Sequence, residues 1–433
     1  MSFLKVLGFD PAKHNVKTEI VAGITTFLTM AYILAVNPDI FSALEEMGMP
    51  KGAVFTATAL AAIVGTLVMS IYAKKPYALA PGLGLNAFFV YTVCLTMGYS
   101  WQFALTAVLI EGIIFIILTV TNVREAIINA IPKSMKSAVS AGIGLFIAFI
   151  GLVNAGIIVD DGGTIISLGT ITSGPALLAI VGLVITSVMM ILKVPGAMLI
   201  GIIVTAIIGI PFGITKFDGV VSAVPSVAPI FCKFEFHNIL TWDMIIVVFT
   251  FLFIDMFDTI GTVIGVSKKA NAMNPDGTIP GVKKVLMADA VATVWGAICG
   301  TSTTTTYVES ASGVAEGGRT GLTSFTVAIC FAIALFFAPV FLAIPSAATA
   351  PALILVGVMM MSSIKDVDFN DFSECVPAYI TMVVMPLAYS ISDGIMLGMI
   401  SFVVLNALTG KFKKISVMMW ILAILFILRY ILL

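Results

Sequence analysis

The chain has 433 residues, 60% of them hydrophobic and only 10% charged, with a mean hydropathy of +1.14. A water-soluble protein of that length has nowhere to hide so much apolar surface, so the chain is read as an all-α polytopic membrane protein. Its net charge of −1 points to neither a nucleic acid nor another polyanion as partner.

Met1–Lys17 is polar and basic, and the apolar run beginning at Ile20 is long enough to span, so no cleavable signal is expected. Apolar segments follow at about 18–40, 52–72, 79–97, 101–121, 132–157, 174–192 and 195–213. A connecting loop, Thr215–Leu240, leads to a second set at about 241–266, 283–300, 301–316, 320–341, 345–364, 374–391 and 393–410. A last apolar run, Ile415–Leu433, closes the chain. Most segments approach the ~20 residues that a membrane-crossing helix needs.

Charge placement tests this order. With the N-terminus inside and crossings alternating, eighteen Lys and Arg residues fall on inside loops, among them Lys74, Lys75, Arg124, Lys268, Lys269 and Lys411. Only three, Lys51, Lys216 and Lys233, fall outside. That asymmetry follows the positive-inside rule and predicts fourteen crossings with a cytoplasmic Lys411–Lys414. The terminal run is either a fifteenth crossing or a helix lying against the bundle.

Segments three and ten stand apart. Ala80–Phe89 (APGLGLNAFF) and Thr301–Gly321 (TSTTTTYVESASGVAEGGRTG) each join an extended stretch to a short helix. Extended backbone at membrane depth is tolerated only where protein buries it or where it lines a cavity. The two hold corresponding positions in two sets of seven. Segments five and twelve also open alike, Ile131-Pro132-Lys133-Ser134 and Ile344-Pro345-Ser346. Seven spans per half put the halves in opposite orientations, an inverted repeat whose interrupted segments mark the binding site.

Four polar residues in these apolar surroundings carry the site hypothesis. Glu309 stands where the extended part of segment ten meets its short helix, where the helix dipole favours an anion and burial favours the neutral acid. Asp255 and Asp258, in FTFLFIDMFDTIGT, share one helix face with Thr259 and Thr262. Two acids in an apolar helix are costly unless paired, hydrated or protonated, so they are candidates for substrate contact or proton carriage. Asn86 is expected to cap the short helix of segment three and to offer its amide to a planar heterocycle, while Gly84 allows close approach. Glu111 and Asp289 are read as clamps between helices. Gly313, Gly317 and Gly321 are read as a close-packing stripe, and Glu316 with Arg319 as an exposed pair. Phe27, Phe88, Phe253 and Tyr307 are candidates for stacking on a flat ligand. The five cysteines show no disulfide pattern, and neither a metal-ligand spacing nor a cofactor motif is present.

APGLGLNAFF, FIDMFDTIGT and TTTTYVESASGVAEGGRTGL, in this order over fourteen spans, resemble the AzgA-like purine permeases, a branch of the second nucleobase–cation symporter family. The opening GFDPAKHNVKTEIVAGITTFLTMAYILAVNP is similar to that branch as well. The resemblance implies a core domain from 18–128 and 241–341, a gate domain from 132–213 and 345–410, and 415–433 as an added hydrophobic segment. It implies that Asp255, Glu309 and Asn86 contact a purine base, supported by Asp258 and Gly84, with the proton carried among Asp258, Asp255 and Glu309. Adenine, guanine and hypoxanthine as substrates, an elevator-like sliding of core against gate, and homodimers through the gate in the inner membrane are further implications. Uracil- and xanthine-type relatives commonly carry a glutamate, sometimes with a histidine, in span eight, where this chain has aspartates.

Other readings keep the fold or abandon it. An anion transporter would bind its substrate at half-helix N-termini, but three acids at the site oppose it. A membrane enzyme would need a second acid cluster with cations near Asp255-x-x-Asp258, and none is apparent. A channel is disfavoured by the paired interrupted helices.

Overall fold

The computed structural model describes residues 2–121, 131–217, 219–237, 239–274 and 279–432. Arg124, the end of the first core stretch at 122–128, and Leu433 lie outside the described residues. The helices are α1 (Ser2–Val6), α2 (Val16–Met30), α3 (Ile33–Phe41), α4 (Lys51–Val68), α5 (Leu83–Ala87), α6 (Trp101–Thr121) and α7 (Lys133–Asn154). They continue with α8 (Gly174–Ile191), α9 (Ala197–Gly209), α10 (Trp242–Lys269), α11 (Val282–Cys299), α12 (Ser310–Ala315) and α13 (Gly321–Ala334). The chain ends with α14 (Ala338–Leu342), α15 (Ser346–Met361), α16 (Phe372–Leu387), α17 (Ile391–Leu408) and α18 (Val417–Leu432). Among the described residues, nine helices are long and apolar enough to cross a membrane. Four apolar helices are shorter, Leu83–Thr96, Ala197–Gly209, Phe372–Leu387 and Val417–Ile431.

Segment one is not a single straight helix. It breaks between α2 and α3, at Ala31 and Tyr32. The Thr29 hydroxyl just before the break bonds back to the carbonyls of Thr25 and Thr26, a pattern that bends helices. Segment three is extended at β1 (Leu79–Pro81) and then helical for longer than its sequence implies. α5 runs on as a wider π-helix over Phe88–Thr96, a rare geometry found mostly at functional sites.

The two extended stretches meet. β1 pairs antiparallel with β4 (Thr304–Thr306), with Leu79 opposite Thr306, Ala80 opposite Thr305 and Pro81 opposite Thr304. Flanking backbone bonds extend the pairing, from Gly82 N–H to the Thr303 carbonyl and from Tyr307 N–H to the Ala78 carbonyl. Side chains satisfy the outward backbone groups. Thr66 Oγ1 accepts from Leu79 N–H at 3.0 Å and lies 3.2 Å from its carbonyl, and Ser310 Oγ accepts from Ala78 N–H. Asp289 accepts from Thr306 N–H and its hydroxyl, and Thr303 Oγ1 donates to Glu111 Oε2 at 2.6 Å. Glu111 and Asp289 thus clamp the extended stretch of segment ten, rather than one helix to another as the sequence suggests. Within an apolar bundle every such group needs a partner, because no water replaces one.

Two of the three recurring glycines are packing points. A Cβ on Gly313 would lie 2.3 Å from the Ala22 carbonyl oxygen, and one on Gly321 2.2 Å from that of Ser70. Gly317 is different: its φ of +103° makes the turn between α12 and α13, so the three do not form one helical stripe. Arg319 does not pair with Glu316. Its guanidinium donates to the carbonyls of Val314 and Gly318, closing the end of α12. The first turn of α13 is capped from α2, where buried Glu19 accepts from the N–H groups of Arg319 and Thr320 and from the Thr323 hydroxyl.

α7 and α15 run antiparallel with backbones nearly touching, Gly144 against the Gly357 carbonyl and Gly151 against that of Ala350. The loop after α9 lies back on α4 and α6: Thr56 Oγ1 donates to the Pro225 carbonyl, and Glu235 N–H donates to Thr106 Oγ1. A hairpin absent from the sequence reading, β2 (Ile158–Asp161) with β3 (Ile165–Leu168), follows α7. Its signal is Asp161-Gly162-Gly163 between β-branched pairs. Donors from Gly163 and Thr164 hold the Asp161 carboxyl below the usual carboxylate range. α18 packs antiparallel on α17: Lys411 and Lys414 hold Asp371 at one end, and Arg429 and Tyr430 hold Asp393 at the other.

Replacing Asp289 by alanine strands the Thr306 N–H in the apolar interior. The variant is expected to lose roughly 1–3 kcal/mol of stability. Thermal unfolding in detergent checks this; an unchanged transition would show that the strand does not depend on the clamp.

Candidate functional site

The segments that continue from β1 and β4, beginning at Gly82 and at Thr306, line a cavity of about 390 Å³, within the range of small-molecule sites. One side is Tyr32, Gly82, Leu83, Gly84, Asp258, Gly261, Thr262, Tyr307 and Glu309. The other is Val139, Ser140 and Ile143 of α7 with Val356, Met359, Met360, Ser362 and Ser363 at the end of α15. Most of the exposed lining is apolar, and among the described residues it includes two carboxylates and no lysine or arginine.

Glu309 immediately precedes α12 and makes no side-chain capping bond. Its Oε1 instead accepts from the Tyr32 hydroxyl at 2.7 Å. The break in segment one therefore has a consequence: it leaves Tyr32, 2% exposed, at the start of α3 with its hydroxyl on Glu309. Sequence reasoning missed Tyr32, and a tyrosine within an apolar run after three nearby threonines was the available signal.

Asp258 and Asp255 divide by depth. Asp258 lines the cavity, and its Oδ2 lies 3.8 Å from where a Cβ of Gly82 would stand. Asp255 is fully buried and accepts from Thr259 Oγ1 at 3.0 Å. Thr259 Oγ1 also lies 2.9 Å from Asp289 Oδ2 and 2.6 Å from Thr305 Oγ1. The hydroxyl carries one hydrogen and serves one acceptor at a time. Asp255 thus belongs to the network that holds β4.

Asn86 does not cap its helix. Gly82 holds that position and Asn86 is the fourth helical residue of α5. Its carbonyl oxygen accepts from the Ser302 hydroxyl, and its Nδ2 is buried with no hydrogen-bond partner among the described residues. Such an amide is costly to leave unsatisfied. Gly84 lines the cavity where α5 meets α7: a Cβ there would sit 2.7 Å from Ile143 Cγ2. Of the four aromatic candidates, Tyr307 reaches the cavity and fixes its hydroxyl on the Pro81 carbonyl at 2.5 Å. Phe27, Phe88 and Phe253 pack instead on Phe331, Phe251 and Phe249.

The profile described as Permease family (Xan_ur_permease) matches residues 17–397. A putative permease of Methanocaldococcus jannaschii is 49% identical, covering 99% of this chain and 98% of its own. The guanine/hypoxanthine permease PbuG of Bacillus subtilis is 45% identical, covering 98% of each. The adenine permease AdeQ of Escherichia coli is 42% identical, covering 96% of this chain and 94% of its own. The transmembrane domain of the cyanobacterial bicarbonate transporter BicA shares the fold at 17% identity, with a TM-score of 0.65 over 89% of this chain and 97% of that one. The chain is an integral membrane transporter, not an enzyme, and belongs to the Permease family, in its AzgA-like purine permease branch.

Proposed function

We propose that the protein carries purine nucleobases (adenine, guanine, hypoxanthine or a subset) across the cytoplasmic membrane, coupled to protons and by alternating access. The carrying observation is the pair of carboxylates, Glu309 and Asp258, on the wall of one cavity. A purine is flat, mostly neutral and edged with donors and acceptors. A carboxylate accepts two N–H bonds from guanine's N1/N2 edge, and a protonated one both donates and accepts along the edges of adenine or hypoxanthine. The relatives named as adenine and as guanine/hypoxanthine permeases support the same substrate class. Carboxylates without a cation in the lining would repel an anion, which weighs against anion transport on this shared fold.

In this reading Glu309 and Asp258 meet the base, and Gly84 leaves room for it. Asp255 and Asn86 act from behind the wall, Asp255 through Thr259 and Asn86 by its free amide hydrogens. The proton is held among Asp258, Asp255 and Glu309. The helices form fourteen crossings in a seven-plus-seven inverted repeat with the N-terminus cytoplasmic, and α18 is an added hydrophobic segment packed on α17. Core (18–128, 241–341) slides against gate (132–213, 345–410), and the gate joins two copies. The support is the antiparallel meeting of β1 with β4 and of α7 with α15.

Radiolabelled purine uptake into proteoliposomes tests this. Uptake is expected to rise with an inward proton gradient and to collapse when the gradient is dissipated. Gradient-independent uptake contradicts the coupling. Glu309→Ala and Asp258→Asn are each expected to weaken purine binding by about 5- to 150-fold, the equivalent of 1–3 kcal/mol. Unaltered affinity in both variants removes the carboxylates from the site. Tyr32→Phe is expected to weaken it several-fold by freeing Glu309 from its donor, with the fold unchanged by circular dichroism; unchanged affinity would make that bond incidental.

A further inference from the structure

Asp39 is a second buried carboxylate in segment one, 4% exposed, and it does not touch the cavity. It lies in the last turn of α3 and reaches the first turn of α15. Its Oδ1 accepts from Ser346 Oγ at 2.7 Å and its Oδ2 from Thr349 Oγ1 at 2.6 Å. Lys51 Nζ, at the start of α4, lies 3.8 Å from Oδ1. The residue before α15 is Pro345, which makes no side-chain capping bond. A carboxylate near a helix N-terminus is favoured by the dipole and by the free N–H groups of the first turn.

This contact joins the two proposed bodies, since α3 and α4 belong to the core stretch and α15 to the gate stretch. Other side-chain hydrogen bonds that join described residues of those stretches lie at the same end of the bundle. They are Asn154 Nδ2 to the Tyr91 hydroxyl at 3.3 Å and Thr92 Oγ1 to the Tyr389 carbonyl at 3.4 Å. Asn154 ends α7, and Tyr389 follows α16. The cavity lies toward the other end, where Val139–Ile143 begin α7 and Val356–Ser363 finish α15. One end of the seam is thus stitched by polar bonds, and the other holds the site.

We propose that Asp39 is a positioning residue of the transport cycle. With Ser346 and Thr349 it forms a latch that closes the end of the core–gate seam opposite the cavity, and the latch must open for the site to face the other side of the membrane. The proposal rests on the alternating-access reading above. A conformational equilibrium moves only through contacts that differ between its states, and three hydrogen-bonding groups on two bodies are such a contact. Asp39 acts on the motion, and the purine never touches it.

The test is the double variant Asp39→Cys/Thr349→Cys in proteoliposomes, with purine binding and uptake measured before and after oxidation. The oxidised, cross-linked protein is expected to bind purine within about twofold of the reduced form and to lose uptake, which reductant restores. Uptake that persists in fully cross-linked protein overturns the latch. Ser346→Ala/Thr349→Val, which leaves Asp39 in place, is the second measurement. It is expected to change the maximal uptake rate several-fold with the purine dissociation constant within about twofold. A fall in both together, or in neither, marks a contact that only stabilises the fold and overturns the proposal. Wild-type protein that neither binds nor carries purine would instead sink the transport reading, and so the two failures are distinguishable.

Discussion

Extended backbone inside an apolar bundle must find every hydrogen bond within the protein, and that constraint organises this molecule. β1 and β4 meet it by pairing with each other and by recruiting Thr66, Glu111, Asp289, Thr293 and Ser310 around them. The run of threonines from Thr303 to Thr306 follows from the same need. A β-branched residue suits an extended strand, and the hydroxyls of Thr303, Thr305 and Thr306 find partners at membrane depth where a valine has none to offer. Once the two strands pair, the short helices that follow them, α5 and α12, are brought to one place. The cavity lies beside them, with α10 on the same side and α7 and the end of α15 on the other.

The same principle separates acids that hold the structure from acids available to a ligand. Glu19, Glu111 and Asp289 are buried and engaged by backbone N–H groups or hydroxyls, so they act as clamps. Asp258 and Glu309 face open space. Counting acids in apolar segments cannot make that distinction, and tracing each one to its donors does. Asp255 shows the difference most clearly, because it shares a helix face with Asp258 and yet belongs to the network behind β4.

Much of the architecture was legible in the chain. Apolar runs located the helices, and the extended-then-helical character of segments three and ten was visible in APGLGLNAFF and in the threonine run. That the two would pair was not visible, because register between segments more than two hundred residues apart leaves no local trace. The break at Ala31 and Tyr32 was hidden for another reason: Thr29 reads as an ordinary apolar-helix residue until its hydroxyl is seen turning back on the Thr25 and Thr26 carbonyls. Gly313, Gly317 and Gly321 looked like one stripe because their spacing fits a helix. A turn at Gly317 separates two helices instead. Asp39 escaped notice because it sits at the end of its segment, where an acid ordinarily meets water. Only the packing of α15 over it shows that it is buried.

The central claim is that a purine sits against the β1–β4 pair with its polar edge on Glu309 and Asp258. A cryo-electron microscopy structure of the protein with guanine or adenine bound tests it most directly. Density for the base in contact with both carboxylates, with Tyr307 close to its ring, is the predicted result. Density elsewhere in the bundle, or a base held without either carboxylate, would contradict the account.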